Sequence, residues 1–111
     1  MKISHQDQGH LTVMSLRGEM VRDEAERFRR TANERMDQGV RDFVIDGQSL
    51  EAIDSPGIEA LLWLQERVID RLGQVRLAAC PPYFFDILCM TRLSDRLEHH
   101  PTVEDAVQSL K

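Results

Sequence analysis

The sequence is poor in cysteine, in basic charge and in long apolar runs. Cys80 and Cys89 are its only cysteines; they lack C-x-x-C spacing, which argues against a disulfide framework or a zinc or redox site. The 14 Lys and Arg residues against 19 Asp and Glu give a net charge of −5. That balance disfavours binding to nucleic acid or to anionic membranes, because both require a basic face.

Membrane and secretion signals are missing too. No apolar run approaches the roughly 18 residues of a transmembrane helix, and the N-terminus has no apolar core of a signal peptide. We therefore expect a cytoplasmic protein that does not insert into membranes.

Both cysteines have apolar neighbours, so we expect them to be buried free thiols.

Catalytic motifs are equally scarce. The chain has neither a glycine-rich phosphate loop nor a G-x-S-x-G nucleophile motif. His99 and His100 are adjacent, and in a helix their rings would diverge by about 100°, unlike the i,i+4 pair of a zinc helix. We expect them in a solvated loop. The sequence thus favours a binding protein over an enzyme and predicts no metal site.

What is present indicates one globular α/β domain over residues 1–111. Hydrophobic residues make up 41% and charged residues 30% of 111 residues, without repeats or a flexible linker. Strands and helices alternate in the order ββαβαβαα, which predicts crossover connections, a partly parallel sheet and helices packed on it. The predicted strands cover 2–6, 11–18, 41–46 and 75–80, and the predicted helices cover 23–38, 56–72, 82–90 and a short stretch after Pro101.

Capping residues mark two helix starts. Asp23 is predicted to cap the first helix, with Glu26 as its capping-box partner. Ser55 is predicted to cap the second, followed by Pro56 in the first turn. Helical spacing then predicts one buried stripe on the second helix, formed by Ile58, Leu61, Leu62, Val68, Ile69 and Leu72.

The segment from Asp46 to Ser55 is the most informative one. A strand is predicted to end at Asp46, followed by a loop of about six residues in which Ile53 reaches the core. The Ser55 hydroxyl would then face free N–H groups at the positive end of the helix dipole. A phosphate on it would gain hydrogen bonds there, whereas Asp54 would repel it. Ser55 is therefore either a simple cap, worth about 1 kcal/mol, or a modification switch.

Two aromatic side chains lie off the predicted apolar stripes. Trp63 is about 160° from the centre of the stripe on the second helix, among charged residues that include Glu59. It is either an interface anchor or covered by a neighbouring helix. Phe85 lies off the apolar stripe of the third helix, and two interpretations are open for it too. Either it belongs to a partner-facing surface, or the C-terminal helix covers it.

Three motifs resemble those of the STAS domain, the family of sulphate transporters and anti-sigma factor antagonists. Asp54-Ser55-Pro56-Gly57 is similar to the family's Asp-Ser-Ser-Gly helix start. Leu16-Arg17-Gly18-Glu19-Met20 is similar to its Leu-x-Gly-Glu-Leu, and residues 81–88 to the helix after its last strand. The resemblance covers nearly the whole chain. It implies an α/β fold with a mixed four- to five-stranded sheet packed against about four helices.

The resemblance also implies a function. Small members of the family are bacterial anti-sigma factor antagonists, which bind an anti-sigma factor that is also a serine kinase and so free a sigma factor. The kinase phosphorylates the residue after the motif Asp, here Ser55, and a phosphatase reverses the modification. ATP belongs to the kinase, so this chain needs no cofactor. The partner-binding residues carried over or inferred are Gly18, Glu19, Asp54, Gly57, Glu59 and Trp63.

Departures from the family pattern keep a second role open. Pro56 replaces the second hydroxyl residue of the motif, Glu59 replaces a common glycine, and Val21 replaces an acidic residue. A diverged partner, or a member that is never phosphorylated, fits these changes. Small STAS proteins also serve as constitutive cytoplasmic subunits of phospholipid-transport ABC systems. A weak homodimer is a further open point.

Overall fold

The computed structural model describes residues 1–111, the side chain of Ser94 excepted. Its strands are β1 (Lys2–Gln8), β2 (Leu11–Met20), β3 (Asp42–Ile53), β4 (Val75–Ala78) and β5 (Glu98–His100). Its helices are α1 (Glu24–Asp37), α2 (Ser55–Asp70), α3 (Pro82–Met90) and α4 (Val103–Ser109), with a 3-10 turn at Leu93–Asp95. The expected α/β fold with a mixed sheet and four helices is confirmed.

The five strands lie side by side in chain order, from β1 to β5. β1 pairs antiparallel with β2, and every later pair is parallel. The hairpin between β1 and β2 turns at Gly9, whose φ of +63° suits glycine. Because the parallel strands all end at one edge, the connections that follow β2, β3 and β4 start there.

Two hydrophobic clusters flank the sheet. The larger packs α1, α2 and α3 against alternate residues of β2 and β3, among them Met14, Leu16, Phe43 and Ile45. The smaller packs α4 against the other face, through Ala106 and Val107 on Leu11, Val44 and Ala78. This alternation is that of inner strands covered on both faces.

Strands β2 and β3 are both longer than predicted. β2 continues through Gly18, which has a φ of +100°, and ends at Met20. β3 runs to Ile53, so the loop predicted after Asp46 is wrong. Its second half pairs with β2 up to Met20 opposite Ile53. On the other side β4 has already ended, and the Tyr83 hydroxyl donates to the Leu50 carbonyl at 2.6 Å.

The predicted buried stripe of α2 is wrong in part. The helix buries Gly57, Ala60, Leu61, Leu64 and Val68, whereas Ile69 is 54% and Leu72 89% exposed. Small residues at two buried positions bring the helix backbone close to the sheet, so that face is preferred over the bulkier one. The capping box of α1 is wrong too, since Asp23 has helical dihedral angles and its side chain caps nothing.

The C-terminal third corrects two further expectations. His99 and His100 belong to β5, opposite Leu77 and Ala78 of β4, and not to a loop. Backbone pairing places them there, and the Cys80 N–H donates to His99 Nε2 at 3.2 Å. Cys80 is half-buried, and burial, with the nearby charge of Asp46, raises its thiol pKa to about 12. Cys89 is exposed on α3, so the expectation of a buried thiol there is wrong.

No helix in the described part of the chain has the length and hydropathy needed to cross a membrane.

Candidate functional site

The candidate site lies where β2 and β3 end and α2 begins. Asp54 is its central residue, in an extended conformation between β3 and α2. Its Oδ1 accepts the Gly57 N–H at 3.1 Å, and its Oδ2 accepts the Arg22 N–H at 2.8 Å. Asp54 therefore caps α2 and ties it to the loop after β2.

Ser55 is the first residue of α2 and not its N-cap, which corrects the sequence prediction. Its side chain is exposed. The N–H groups of Gly57 and Ile58 are already in use, because the Asp54 side chain accepts from Gly57 and the Asp54 carbonyl accepts from the Ile58 N–H at 3.0 Å. Pro56 has no N–H to offer. Of the N–H groups expected to face a phosphate, those of Gly57 and Ile58 are thus already bonded: Asp54 takes the capping role, and Ser55 stands beside it.

At Gly57 the backbone of α2 lies close against the ends of β2 and β3. A Cβ atom on it would lie 2.7 Å from the Met20 carbonyl oxygen and 2.6 Å from Ile53 Cγ1. The Asp54 N–H also donates to the Met20 carbonyl, at 3.3 Å. A side chain at position 57 would push α2 away from the end of β2.

Gly18 and Glu19 lie on β2 beside the last residues of β3. Gly18 is opposite Leu50 and Glu19 opposite Ala52, with a register irregularity between the two pairs. Glu19 is exposed. Strand pairing thus brings the Gly-Glu motif to the same end of the molecule as Asp54 and Ser55.

Glu59 and Trp63 continue along α2, one and two turns beyond Ser55. Glu59 is exposed, whereas Trp63 is half-buried and packs against the larger core cluster. Trp63 is therefore neither a fully exposed anchor nor a fully covered core residue. Phe85 is 41% exposed, and its ring lies 5.4 Å from that of His99.

Arg22 is a site residue that sequence reasoning missed. It has a φ of +55°, an uncommon conformation for a residue with a side chain. The bond from its N–H to Asp54 holds that turn, and its side chain is exposed. What marks Arg22 as a site residue is its backbone conformation, which cannot be read from the residue type.

Among the side chains that the structure describes, no three His, Cys, Asp or Glu groups lie close enough to hold a metal ion. What the site offers is the exposed Ser55 hydroxyl beside the Asp54 carboxylate, with Glu19 and Glu59 nearby.

Comparison with solved structures gives the same fold. An anti-sigma factor antagonist from Mycobacterium paratuberculosis matches with a TM-score of 0.87 and 21% identity, over 98% of this chain and 92% of that one. SpoIIAA, an anti-sigma factor antagonist and Bacillus cell fate determinant, matches in its unphosphorylated form with a TM-score of 0.84 and 18% identity, over 97% and 95%. A murine anion transporter of the solute carrier 26 family matches with a TM-score of 0.80 and 16% identity, over 95% of this chain but 18% of the transporter.

No curated protein sequence matches the chain significantly. The model of the STAS domain family, however, matches residues 2–106. That match spans every strand and most of α4, and it includes all three motifs that carried the resemblance. On this evidence, the chain belongs to the STAS domain family.

Proposed function

We propose that this protein is an anti-sigma factor antagonist that works by partner switching. It binds an anti-sigma factor that is also a serine kinase, and binding frees the sigma factor. Phosphorylation of Ser55 by that kinase ends the complex, and a phosphatase restores it. Support comes from the STAS family match and from structural neighbours described as anti-sigma factor antagonists, one of them solved also in a phosphorylated form. The protein itself is not an enzyme in this scheme and needs no cofactor.

The observation that carries the proposal is the separation of Ser55 from the cap of its helix. Asp54 caps α2 through Oδ1 and ties it to the loop after β2 through Oδ2, and the Ser55 hydroxyl is exposed. A phosphate on Ser55 adds nearly two negative charges at pH 7. It would do so beside Asp54 and one turn from Glu59, without breaking a bond that holds the fold. The modification then changes the docking surface and leaves the domain folded.

The remaining residues take roles around that hydroxyl. Asp54 and Gly57 set the geometry of the helix start, as their contacts with Arg22 and Met20 indicate. Gly18 and Glu19 contribute the neighbouring strand end, and Glu59 with the exposed part of Trp63 extends the docking face along α2. An acidic face of this kind suits a partner with a basic rim, whose approach it would steer.

A paired capture experiment tests the proposal. Wild-type protein and Ser55→Asp are used as baits in the native cell extract, and the captured proteins are identified by mass spectrometry. Gln108→Glu is the matched control, because Gln108 is also exposed and gains the same charge on α4. A serine-kinase anti-sigma factor should bind wild type and Gln108→Glu equally well, and should bind Ser55→Asp at least about tenfold more weakly. Equal capture of that kinase by all three baits would contradict the switch.

The alternative is a constitutive STAS subunit of a phospholipid-transport ABC system. It is favoured by the match to a portion of an anion transporter and by two exposed apolar side chains, Ile69 near the end of α2 and Leu72 in the turn after it, which suit a permanent interface. The same baits separate the two functions. Transporter subunits captured equally by wild type and Ser55→Asp would support the alternative.

A further inference from the structure

A polar cleft lies on the α4 face of the sheet, at the end of the strands that α4 does not cover. Its volume is about 460 Å³, and the polar side chains that line it come from β1, β2 and β3: Lys2, Ser4, Ser15, Arg17, Asp46 and Ser49. That volume is within the usual range for small-molecule sites.

Strand register builds this cleft. Lys2 is opposite Arg17 and Ser4 opposite Ser15 on the β1–β2 pair. Ser15 is opposite Asp46 on the β2–β3 pair. Helix α4 packs instead on Leu11, Val44 and Ala78, which lie earlier in the strands or on β4. The far end of this face is therefore left with charged and hydroxyl side chains.

Lys2 and Arg17 place two positive charges at one side of the cleft. Two like charges directly opposite each other on neighbouring strands are unfavourable. Among the side chains that the structure describes, neither one has an ion-pair or hydrogen-bond partner. An anion placed between them would relieve the repulsion and receive charge-assisted hydrogen bonds.

At the other side of the cleft, Asp46 provides a carboxylate that accepts hydrogen bonds. Its Oδ2 accepts from the Ser15 hydroxyl at 3.2 Å and its Oδ1 from the Gln48 N–H at 3.0 Å. These bonds fix the carboxylate, which still has lone pairs for further donors. A ligand that reaches both sides thus needs an anionic end and a hydroxyl-bearing end.

We propose that this cleft binds a small phosphomonoester that carries hydroxyl groups. The phosphate lies between Lys2 and Arg17, and a ligand hydroxyl donates to Asp46. Ligand binding in this cleft would be independent of phosphorylation of Ser55. A site for a metabolite would give a partner-binding protein a second input, since Arg17 directly precedes the Gly18-Glu19 motif on β2.

Titration with defined probes tests the site, and binding is measured by the changes in amide chemical shifts in two-dimensional NMR. Ribose 5-phosphate should give saturable shifts confined to the β1, β2 and β3 residues that line the cleft. Inorganic phosphate should bind at the same amides but more weakly, and ribose alone should give no saturable shift. Shifts that do not saturate with ribose 5-phosphate, or that map elsewhere, would overturn the proposal.

Three variants assign the roles. Arg17→Ala should raise the dissociation constant for ribose 5-phosphate about tenfold. Arg30→Ala is the charge-matched control, because Arg30 is exposed on α1, and it should leave binding unchanged. Asp46→Asn should reduce the preference for ribose 5-phosphate over inorganic phosphate without abolishing phosphate binding. Equal affinity in wild type and Arg17→Ala would remove the anion site.

Discussion

The Asp54 carboxylate accepts the backbone N–H of Arg22 at 2.8 Å and so joins the loop after β2 to the start of α2. Its other oxygen accepts from Gly57 within the helix. One side chain thus fixes both the helix cap and a turn in which Arg22 has a positive φ. This contact explains why an acidic residue stands before the serine: it holds the hydroxyl's surroundings rigid while leaving the hydroxyl itself unbound.

Asp54→Ala should destabilise the protein by about 2–3 kcal/mol, since it removes a helix cap and leaves the Arg22 N–H without its acceptor. Urea unfolding of wild type and variant measures the difference. Asp54→Asn should lose less, because an amide oxygen can still cap the helix. The control Asp70→Ala removes an exposed carboxylate at the other end of α2 and should stay within about 0.5 kcal/mol of wild type. A loss of the same size in Asp54→Ala and in the control would contradict the clamp.

Ser55→Ala should change the free energy of unfolding by less than about 0.5 kcal/mol, because Ser55 is exposed and is not the cap. A serine cap would instead cost about 1 kcal/mol on removal. The same unfolding experiment decides between the two. If Ser55→Ala lowered the free energy of unfolding by as much as a lost cap does, the assignment of the cap to Asp54 and not to Ser55 would be wrong.

Gly57→Ala should be destabilising by about 1–3 kcal/mol, although alanine is intrinsically the better helix former by nearly 1 kcal/mol. The added methyl would lie 2.7 Å from the Met20 carbonyl oxygen, which is a backbone atom and cannot turn aside. Glu59→Ala, two residues further along and exposed, is the control for a mere change of helix propensity. Thermal unfolding of both variants measures the contrast, and a stabilised Gly57→Ala would contradict the close approach.

Local signals were enough to predict the start of α2. Serine, proline and glycine within three residues favour a helix start, and this motif predicts the start of α2 to within one residue. The exact capping residue was not predictable, because Asp54 and Ser55 are both good caps. Only the position of the Arg22 N–H, which belongs to a distant part of the chain, gives Asp54 its second bond.

Non-local contacts account for the other differences. Residues 47–53 look like a loop because glycine and polar residues interrupt the apolar pattern, yet pairing with β2 makes them a strand. β5 consists of Glu98, His99 and His100 and exists through pairing with β4. On α2, hydropathy favoured the bulky stripe, whereas close packing through Gly57 and Ala60 decided the buried face.

His99 should make stability depend on pH. Burial, together with the neighbouring His100, lowers the pKa of His99 below its usual value of 6.5. The Cys80 N–H donates to its Nε2, a bond that requires the neutral ring. The Phe85 ring also lies beside His99. The neighbouring His100 is hydrogen-bonded to the Glu98 carboxylate.

The sign follows from proton binding. Below about pH 6.5 the unfolded chain binds a proton at His99 more readily than the folded protein does, so stability falls as the pH is lowered through the folded pKa. Urea unfolding across that window should show the loss in wild type and a smaller slope in His99→Gln. His10→Gln, at an exposed position in the β1–β2 turn, should keep the wild-type slope. If His99→Gln kept it as well, the neutral His99–Cys80 bond would not be the source of the pH dependence.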